Sequence, residues 1–406
     1  MPQYDLVVIG GGAAGFFAAI NATILKPSLK VIILEKNREC LQKVKVSGGG
    51  RCNVTNAIEM PESLLEFYPR GGEFLLGPFI RFGPKEMKTW LNNHKVNLKT
   101  EKDGRVFPVT DNSQTIIDCF YGLARLGKVQ IKTSYRVENF EYFEENWVIN
   151  GGGDQEIRGK DLLIATGSDN RIWQLVSELG HSVVPPIPSL FTFNFTEKKI
   201  KELQGISFEN VKVNIKNSSF FQEGPLLITH WGVSGPVILK LSSKAAVFLS
   251  EKKYLFAIEI NFCPEFSKEQ ILETFRKQLD LNPKKQIQNT PLFQLQTRFW
   301  KYICEKSGIG EHQKWAESGK KQWTLLQENI QKAVYEVNSK STFKEEFVTA
   351  GGVNLSEINP ETFGSIKNQN LFFAGEVLNI DAMTGGFNFQ AAWTAAWHVA
   401  AYLSKI

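Results

Sequence analysis

The sequence predicts an α/β protein whose main domain is discontinuous along the chain and contains a parallel sheet of the dinucleotide-binding type. One observation is a strand–glycine–helix–strand pattern at residues 4–36, and another is a similar strand–glycine–helix element near the C-terminus. A third is the run of prolines at residues 185–188, which cannot continue a helix or a central strand. We therefore predict that residues 1–186 and 346–406 form one domain, and that residues 187–345 are inserted into it.

The first element is an apolar strand, a glycine turn, a helix and a second strand that ends on an acid. Gly10 permits the tight turn, Gly12 lets the backbone approach a pyrophosphate, and Gly15 lets helix and strand pack closely. The helix N-terminus offers unpaired N–H groups to phosphates. Glu35 follows the second strand, where a carboxylate accepts hydrogen bonds from ribose hydroxyls and disfavours a 2′-phosphate. The pattern predicts a site for NAD or FAD rather than NADP.

A loop rich in Gly, Ser and Asn follows at residues 40–57. Ordering such a loop costs backbone entropy, so we expect it to wrap a ligand rather than to be a plain flexible loop. Its side chains that could reach phosphates and ribityl hydroxyls are Lys43, Lys45, Ser47, Arg51 and Asn53.

Further along the chain, the hydrophobic periodicity predicts alternating helices and strands. Helices are expected at residues 84–94, 113–126, 267–332 and 387–403, an antiparallel meander at 129–157, a returning strand at 161–168, strands within 190–262 and 333–348, and a strand at 371–374.

The composition is that of an ordinary globular protein, with 42% hydrophobic and 22% charged residues. No apolar run approaches the ~20 residues that span a bilayer, and no basic leader precedes the first strand, so a cytoplasmic location is expected. The five cysteines are scattered and include no C-x-x-C pair, which predicts neither disulfides nor a metal site. Residues 187–345 carry 23 Lys+Arg against 16 Asp+Glu, or +7. This excess indicates a polyanionic partner or, as we favour on charge alone, a solvated lysine-rich surface.

The element near the C-terminus favours FAD over NAD. FAD is about twice as long as its AMP half, so its ribityl chain and ring need a second cradle. Glu376 follows a strand and could hold a ribityl hydroxyl, and the glycine-opened helix after it would stabilise charge on the reduced ring. Ordinary sheet-to-helix turns are the alternative for each feature alone. No second G-x-G-x-x-G exists in the chain, so NAD(P)H, if used, is expected only as a transient donor.

With these motifs in view, the sequence resembles the flavoprotein family that includes aminoacetone oxidases and BaiN-type enoyl reductases. The matching stretches cover essentially the full length: residues 10–15 with Glu35, 46–56, 104–108, 229–236, 349–353, 373–377 and 386–388. The resemblance implies an FAD domain interrupted by a β-barrel at residues 187–265 and 333–345 and by a helical subdomain at 266–332. Asn379 and Ala382 depart from the family pattern and bear only on fine ribityl contacts. The family's activities differ widely, so the resemblance does not fix a substrate.

The residues expected to contact non-covalent FAD come from both ends of the chain and from the meander. They are Gly10, Gly12, Ala13, Ala14, Gly15, Glu35, Lys36, Lys43, Ser47, Gly48, Gly49, Arg51, Cys52, Asn53, Val137, Ala165, Thr166, Gly167, Gly375, Glu376, Asp381, Gly385, Gly386, Phe387 and Asn388.

The expected reaction is NAD(P)H-dependent reduction of an electron-poor C=C bond, which needs a hydride from flavin N5 and a proton from an acid. Cys52 is one candidate acid, because Arg51 beside it could lower the pKa of its thiol; a packing role is equally compatible with the sequence. His230 is the second candidate, although a single histidine is more often structural.

Two alternatives to a small-molecule reductase stay open at this point. One is an amine oxidase that uses O₂. The other is an RNA-modifying flavoprotein that reduces a pyrimidine C5=C6 bond, since aromatic and basic residues alternate within 298–323. Stacking on bases with phosphate contacts would suit single-stranded RNA. Burial of the same aromatics in an amphipathic helix is somewhat favoured.

Overall fold

The structure is a computed structural model that describes residues 3–152, 156–341 and 348–405. The chain divides into two compact units, one formed by Met1–Pro188 with Lys344–Ile406 and the other by Ser189–Phe343. The predicted boundary between residues 345 and 346 lies outside the described residues.

The N-terminal segment of the first unit alternates strands with helices. Its strands are Tyr4–Ile9 (β1), Val31–Leu34 (β2), Thr55–Asn56 (β3), Leu98–Thr100 (β4), Arg105–Pro108 (β5), Gln130–Lys132 (β6), Val137–Phe143 (β7), Asn146–Gly151 (β8), Ile157–Ile164 (β9) and Val183–Pro188 (β10). Its helices are Ala13–Leu25 (α1), Gln42–Gly50 (α2), Pro61–Leu64 (α3), Gly72–Arg81 (α4), Pro84–Asn93 (α5), Gln114–Leu126 (α6) and Asn170–Glu178 (α7).

The second unit, in the middle of the chain, begins with strands and continues with helices. The strands are Thr192–Phe195 (β11), Ser207–Ile215 (β12), Phe221–Ile228 (β13), Gly232–Ser234 (β14), Phe256–Asn261 (β15) and Ala333–Ser341 (β16). The helices are Lys198–Lys201 (α8), Pro236–Lys244 (α9), Ala246–Glu251 (α10), Lys268–Leu281 (α11), Thr297–Lys306 (α12) and Lys320–Gln331 (α13). The C-terminal segment returns to the first unit with Thr349–Val353 (β17), Leu371–Phe373 (β18) and Phe387–Leu403 (α14).

A seven-stranded sheet organises the first unit in the order β6-β2-β1-β9-β8-β7, and β18 pairs with the distal half of β9. Strands β6, β2, β1, β9 and β18 run parallel, and β7 and β8 form an antiparallel meander that continues onto residues 157–159 of β9. The returning strand predicted at 161–168 is the second half of β9, which begins at Ile157 and ends at Ile164. The prediction that residues 129–131 belong to the meander is wrong, because β6 pairs in parallel with β2. Alternation marks a half-buried strand but does not specify its partner, whereas the preceding helix α6 makes a parallel crossover possible.

Two strongly buried helices pack together beside this sheet. Helix α1 carries Phe16, Phe17 and Ile20 with no exposed surface, and α14 carries Trp393 in the same state. The rings of Phe17 and Trp393 are 5.2 Å apart. Because the first and last helices share one core, the two ends of the sequence form a single unit.

The second unit contains a closed antiparallel barrel in the order β11-β14-β13-β12-β15-β16. Helices α11, α12 and α13 confirm the predicted helical stretch at 267–332. Strands alone were expected within 190–262, yet α9 and α10 occupy residues 236–251, with Pro236 at the first position of α9, where proline is favoured. No helix in the described part of either unit is long and apolar enough to cross a membrane.

The prolines at residues 185–188 lie in an edge strand, a position where a residue without an N–H donor is tolerated. Within the described part of the chain, strand β10 pairs with β17 alone, antiparallel, and the register shifts between Val184 and Ile187. Proline cannot donate to a ladder and is therefore confined to edges and bulges.

A buried carboxylate fastens the segment between β17 and β18 to the end of α7. Glu357 accepts hydrogen bonds from Lys367 Nζ at 2.7 Å and from the Ser182 amide at 2.9 Å, and lies 3.0 Å from His181 Nδ1. Burial acts to raise the pKa of this carboxyl, but the hydrogen bonds outweigh burial and lower the pKa to about 2, from an ordinary 4.5. The ionised form of Glu357 therefore stabilises this part of the fold.

We expect the stability lost on Glu357→Gln to be largest at neutral pH and to shrink in acid. A carboxyl whose pKa is lowered by folding contributes fully above its unfolded pKa, near 4.5, and loses that contribution as the pH falls towards 2. Urea midpoints of the wild type and the variant at several pH values, followed by tryptophan fluorescence, measure the difference. A difference independent of pH would contradict this role.

Candidate functional site

The turn between β1 and α1 and the first turn of that helix contain two glycines that close packing requires, Gly10 and Gly15, and a third, Gly12, that faces open space. Gly10 has φ +112°, and a Cβ there would lie 2.4 Å from the carbonyl oxygen of Ala165. A Cβ on Gly15 would lie 2.0 Å from the carbonyl oxygen of Gly10. A Cβ on Gly12 would meet nothing within 4 Å. Gly10 and Gly15 therefore keep strand and helix close, and Gly12 keeps the N-terminus of α1 accessible.

Glu35 lies at the end of β2, beside this turn, and is 8% exposed. Its carboxylate accepts hydrogen bonds from the amides of Gly11 and Asn37, both at 2.8 Å. The Tyr135 amide donates to the Glu35 carbonyl, so the chain that leads into β7 and Val137 passes the same strand end. This is the carboxyl edge of the sheet, where doubly wound folds bind nucleotides.

Residues from three further elements converge at this edge. Lys43 in the first turn of α2 donates to Glu376, after β18, at 2.5 Å. Gly167, after β9, has φ +68°, and a Cβ there would lie 3.9 Å from the Glu376 carboxylate. Gly375 lies still closer to α1, since its Cβ would lie 3.1 Å from that of Ala14. The structure thus brings the N-terminal and the C-terminal strand–glycine–helix elements together.

The predicted loop at 40–57 is partly helical, which corrects the sequence interpretation. Helix α2 begins at Gln42, and its helical backbone breaks at Ser47, which has ψ 148°. Gly48 and Gly49 follow with φ of +57° and +69°, in the left-handed region that favours glycine. The glycines therefore form a turn at the end of a short helix, which Val44 anchors by complete burial.

Arg51, a predicted contact of FAD, already has protein partners for its side chain. Its guanidinium donates to Glu101 at 2.6 Å and lies 4.0 Å from the centre of the Phe107 ring. Asn53 accepts a hydrogen bond from the Val106 amide at 3.3 Å. A Cβ on Gly48 would lie 2.9 Å from the Phe107 ring. Residues 104–108, which include β5, therefore contact the glycine turn and hold it in place.

The expected lowering of the Cys52 pKa is wrong. The thiol is fully buried, and burial raises its pKa to about 12, with a hydrogen bond to Ser47 opposing the rise only in part. Arg51 does not assist, because Glu101 and Phe107 engage its guanidinium. These observations favour the packing role that the sequence left open.

The glycine turn before α14 rests on the chain that follows the first glycine loop. A Cβ on Gly386 would lie 2.4 Å from the Thr55 carbonyl oxygen, and Asn56 Nδ2 donates to the Gly385 carbonyl at 3.0 Å. Asn388 closes the turn by exchanging two hydrogen bonds of 2.9 Å with the Ala382 backbone. The Asn388 side chain thus fixes the backbone of the turn between residues 382 and 388.

Aromatic stacking and an ion pair fix the same turn. Phe387 stacks on Phe67 at 4.3 Å between ring centres. Asp381, with no exposed surface, forms a bidentate ion pair with Arg70. No local pattern in the sequence points to Arg70, because only proximity in space links it to a residue 311 positions away.

Open space lies at two places in this site. A cleft is lined by Gly375, Glu376, Ile380, Asn388, Ala391 and Ala395. At the other end, open space faces Gly12 at the N-terminus of α1, and Glu35 lies beside it. Backbone donors for a pyrophosphate, an acid for a ribose and a second acid near the cleft fit the parts of FAD in order. Direct contact of each predicted residue with FAD stays a prediction.

His230 belongs to the second unit and lies in the turn between β13 and β14. Its ring is 4.3 Å from that of Trp231. In the helical part of this unit, Phe299, Trp300 and Trp315 have no exposed surface, which confirms the favoured burial of these aromatics and leaves them unable to stack on bases. No group of His, Cys, Asp or Glu suited to a metal occurs among the described residues.

Comparisons with known proteins agree with this geometry. The family model described as HI0933-like protein Rossmann domain matches residues 4–402. A "Ribosomal RNA dihydrouridine synthase" from Escherichia coli (strain K12) is 27% identical, with 98% of this chain and 97% of the relative covered. A "3-dehydro-bile acid delta(4,6)-reductase" from Clostridium scindens is 26% identical, with 96% of each chain covered.

Among solved structures, a 3-ketosteroid-delta4-(5alpha)-dehydrogenase from Rhodococcus jostii RHA1 superposes with a TM-score of 0.53 at 13% identity, over 98% of both chains. At this identity the likeness concerns the fold alone.

Proposed function

The chain belongs to the HI0933-like family of FAD-binding oxidoreductases, and from this premise we propose that it reduces an electron-poor C=C bond with electrons from NAD(P)H. The observation that carries the proposal is that two full-length relatives with different substrates share one bond change. The name of the Clostridium relative specifies reduction at two C=C positions of a 3-keto compound, and that of the Escherichia coli relative specifies dihydrouridine. In both compounds, a carbonyl is conjugated to the bond that is saturated.

The chain's own residues bind and orient the cofactor in this proposal. The N-terminus of α1 at Gly12 offers donors to the pyrophosphate, Glu35 holds the ribose, and Glu376 holds the ribityl chain with Lys43 neutralising its charge. When held here and reduced by NAD(P)H, FAD would supply the hydride that one alkene carbon accepts. The second carbon needs a proton, for which Cys52, His230 and water are the candidates.

We expect Cys52→Ala to retain FAD and to slow oxidation of the reduced enzyme by an alkene less than about tenfold. Loss of a general acid costs about 10²–10⁴-fold, but a fully buried thiol with a pKa of about 12 is poorly suited to donate a proton. Stopped-flow absorbance of the oxidative half-reaction measures the effect, and Cys119→Ala, which changes a half-buried thiol on α6, is the control. A loss of about 10²-fold or more would instead make Cys52 the proton donor.

A second candidate function is reduction of uracil C5=C6 in RNA. The Escherichia coli relative supports it by name, and so does the charge of +7 on residues 187–345. Since Phe299, Trp300 and Trp315 of the helical part are buried, binding would rest mainly on lysine–phosphate contacts and would weaken steeply with salt. If the protein does not bind RNA at low salt, this second function is ruled out and the small-molecule reductase remains.

One experiment separates these functions from an amine oxidase. The purified protein is reduced anaerobically with NADH or NADPH and then mixed with a cyclic enone, a uridine-containing RNA fragment, or O₂. We expect the enone or the RNA to reoxidise the flavin faster than O₂ does. Reoxidation that is fast with O₂ and absent with both alkenes would overturn the proposal in favour of an oxidase.

A further inference from the structure

Residues 36–43, here called the strap, lie directly over the glycine turn of the FAD site. The Leu41 amide donates to the Gly11 carbonyl at 2.8 Å. A Cβ on Gly11 would lie only 2.6 Å from the sulfur of Cys40. Cys40 and Leu41 are both buried, so the middle of the strap is packed against the turn.

An ion pair joins each end of the strap to a residue that follows β9 or β18, at the carboxyl end of the sheet. Lys36 Nζ lies 2.6 Å from Asp169, which follows β9, and Lys43 Nζ lies 2.5 Å from Glu376, which follows β18. The strap itself follows β2, on the other side of β1. It therefore crosses the carboxyl end of β1, where the pyrophosphate of a dinucleotide is bound.

In both pairs the lysine is more exposed to solvent than the carboxylate. The side chains of Lys36 and Lys43 are 43% and 55% exposed, whereas Asp169 and Glu376 are 17% and 20% exposed. Partly exposed pairs of this kind contribute little each and are screened by salt. The ends of the strap are thus held weakly, and its middle is held by packing.

We propose that the strap closes over the FAD pyrophosphate and that its two ion pairs set how fast FAD enters and leaves. The proposal rests on the FAD site and not on the proposed C=C reduction, and its test uses no substrate. Failure of one therefore leaves the other untouched.

The two lysines could instead act by attracting the phosphates directly, and Asp169→Asn separates these possibilities. Asp169 carries a negative charge near the site, so its removal would slow FAD release if direct attraction governed the rate. If the ion pair governs the rate, the same change frees Lys36 and speeds release. Asp169 Oδ1 also caps α7 by accepting from the amides of Arg171 and Ile172. Asparagine preserves such a cap.

The test measures FAD release and rebinding by flavin fluorescence for the wild type and Asp169→Asn. We expect the variant to speed both directions by up to about fivefold, the scale of one exposed ion pair, with Kd nearly unchanged. Added salt should bring the wild-type rates up to those of the variant. Lys88→Met, which breaks a 2.6 Å pair with Glu59, should leave both rates unchanged.

Two outcomes would contradict the proposed role of the strap. Slower or unchanged release from Asp169→Asn would assign the effect to direct attraction of the phosphates. Faster release combined with slower rebinding would show damage to the site rather than an opened strap.

Discussion

Gly12→Val should yield a folded protein that has lost FAD. A Cβ at this position meets no protein atom within 4 Å, and the backbone has φ −86°, which any residue adopts. The valine methyls would instead occupy the space over the N-terminus of α1 that the pyrophosphate needs. The flavin absorbance of the purified variant measures retention, and circular dichroism measures the fold.

Two other glycine changes make this result interpretable. Gly122→Val places the same side chain at an open position of helix α6 and should retain FAD. Gly15→Val should unfold the protein, since its Cβ would lie 2.0 Å from a backbone oxygen. A fully flavinated Gly12→Val protein would refute the assignment of the pyrophosphate to this turn.

Arg70→Ala should destabilise the first unit by about 3–5 kcal/mol, the usual cost of removing one partner of a buried ion pair. Asp381 has no exposed surface and would lose the bidentate cation that holds it. Because Asp381 lies in the turn that leads into α14, we also expect weaker retention of FAD. The denaturant midpoint of FAD release measures both effects.

The control for this prediction is Lys88→Ala, which breaks a more exposed pair with Glu59 and should cost about 1 kcal/mol or less. Equal midpoints for the Arg70 and Lys88 variants would mean that the Arg70–Asp381 pair does not hold the turn.

Local sequence was sufficient where function depends on backbone shape. The glycine spacing at residues 10–15 predicted the turn, and the apolar character of residues 387–403 predicted a helix with the bounds of α14. The family and the α/β class with an inserted barrel are likewise confirmed. These features follow from steric limits and periodicity within a short window.

Side-chain partners were not predictable in the same way. Arg51 is paired with Glu101 and Asp381 with Arg70, across 50 and 311 positions of sequence. A charged side chain near a ligand loop can equally bind the ligand or brace the loop, and only the three-dimensional neighbours decide. The pKa of Cys52 followed burial rather than its neighbour in sequence, because desolvation of a thiolate outweighs a cation that is already engaged.

The central claim is that both ends of this chain build one FAD site. The FAD released by denaturing the purified protein, divided by the protein concentration, tests it most directly. We expect one non-covalently bound FAD per chain. A protein that neither carries FAD nor takes it up, or that releases two nucleotides per chain, would contradict it.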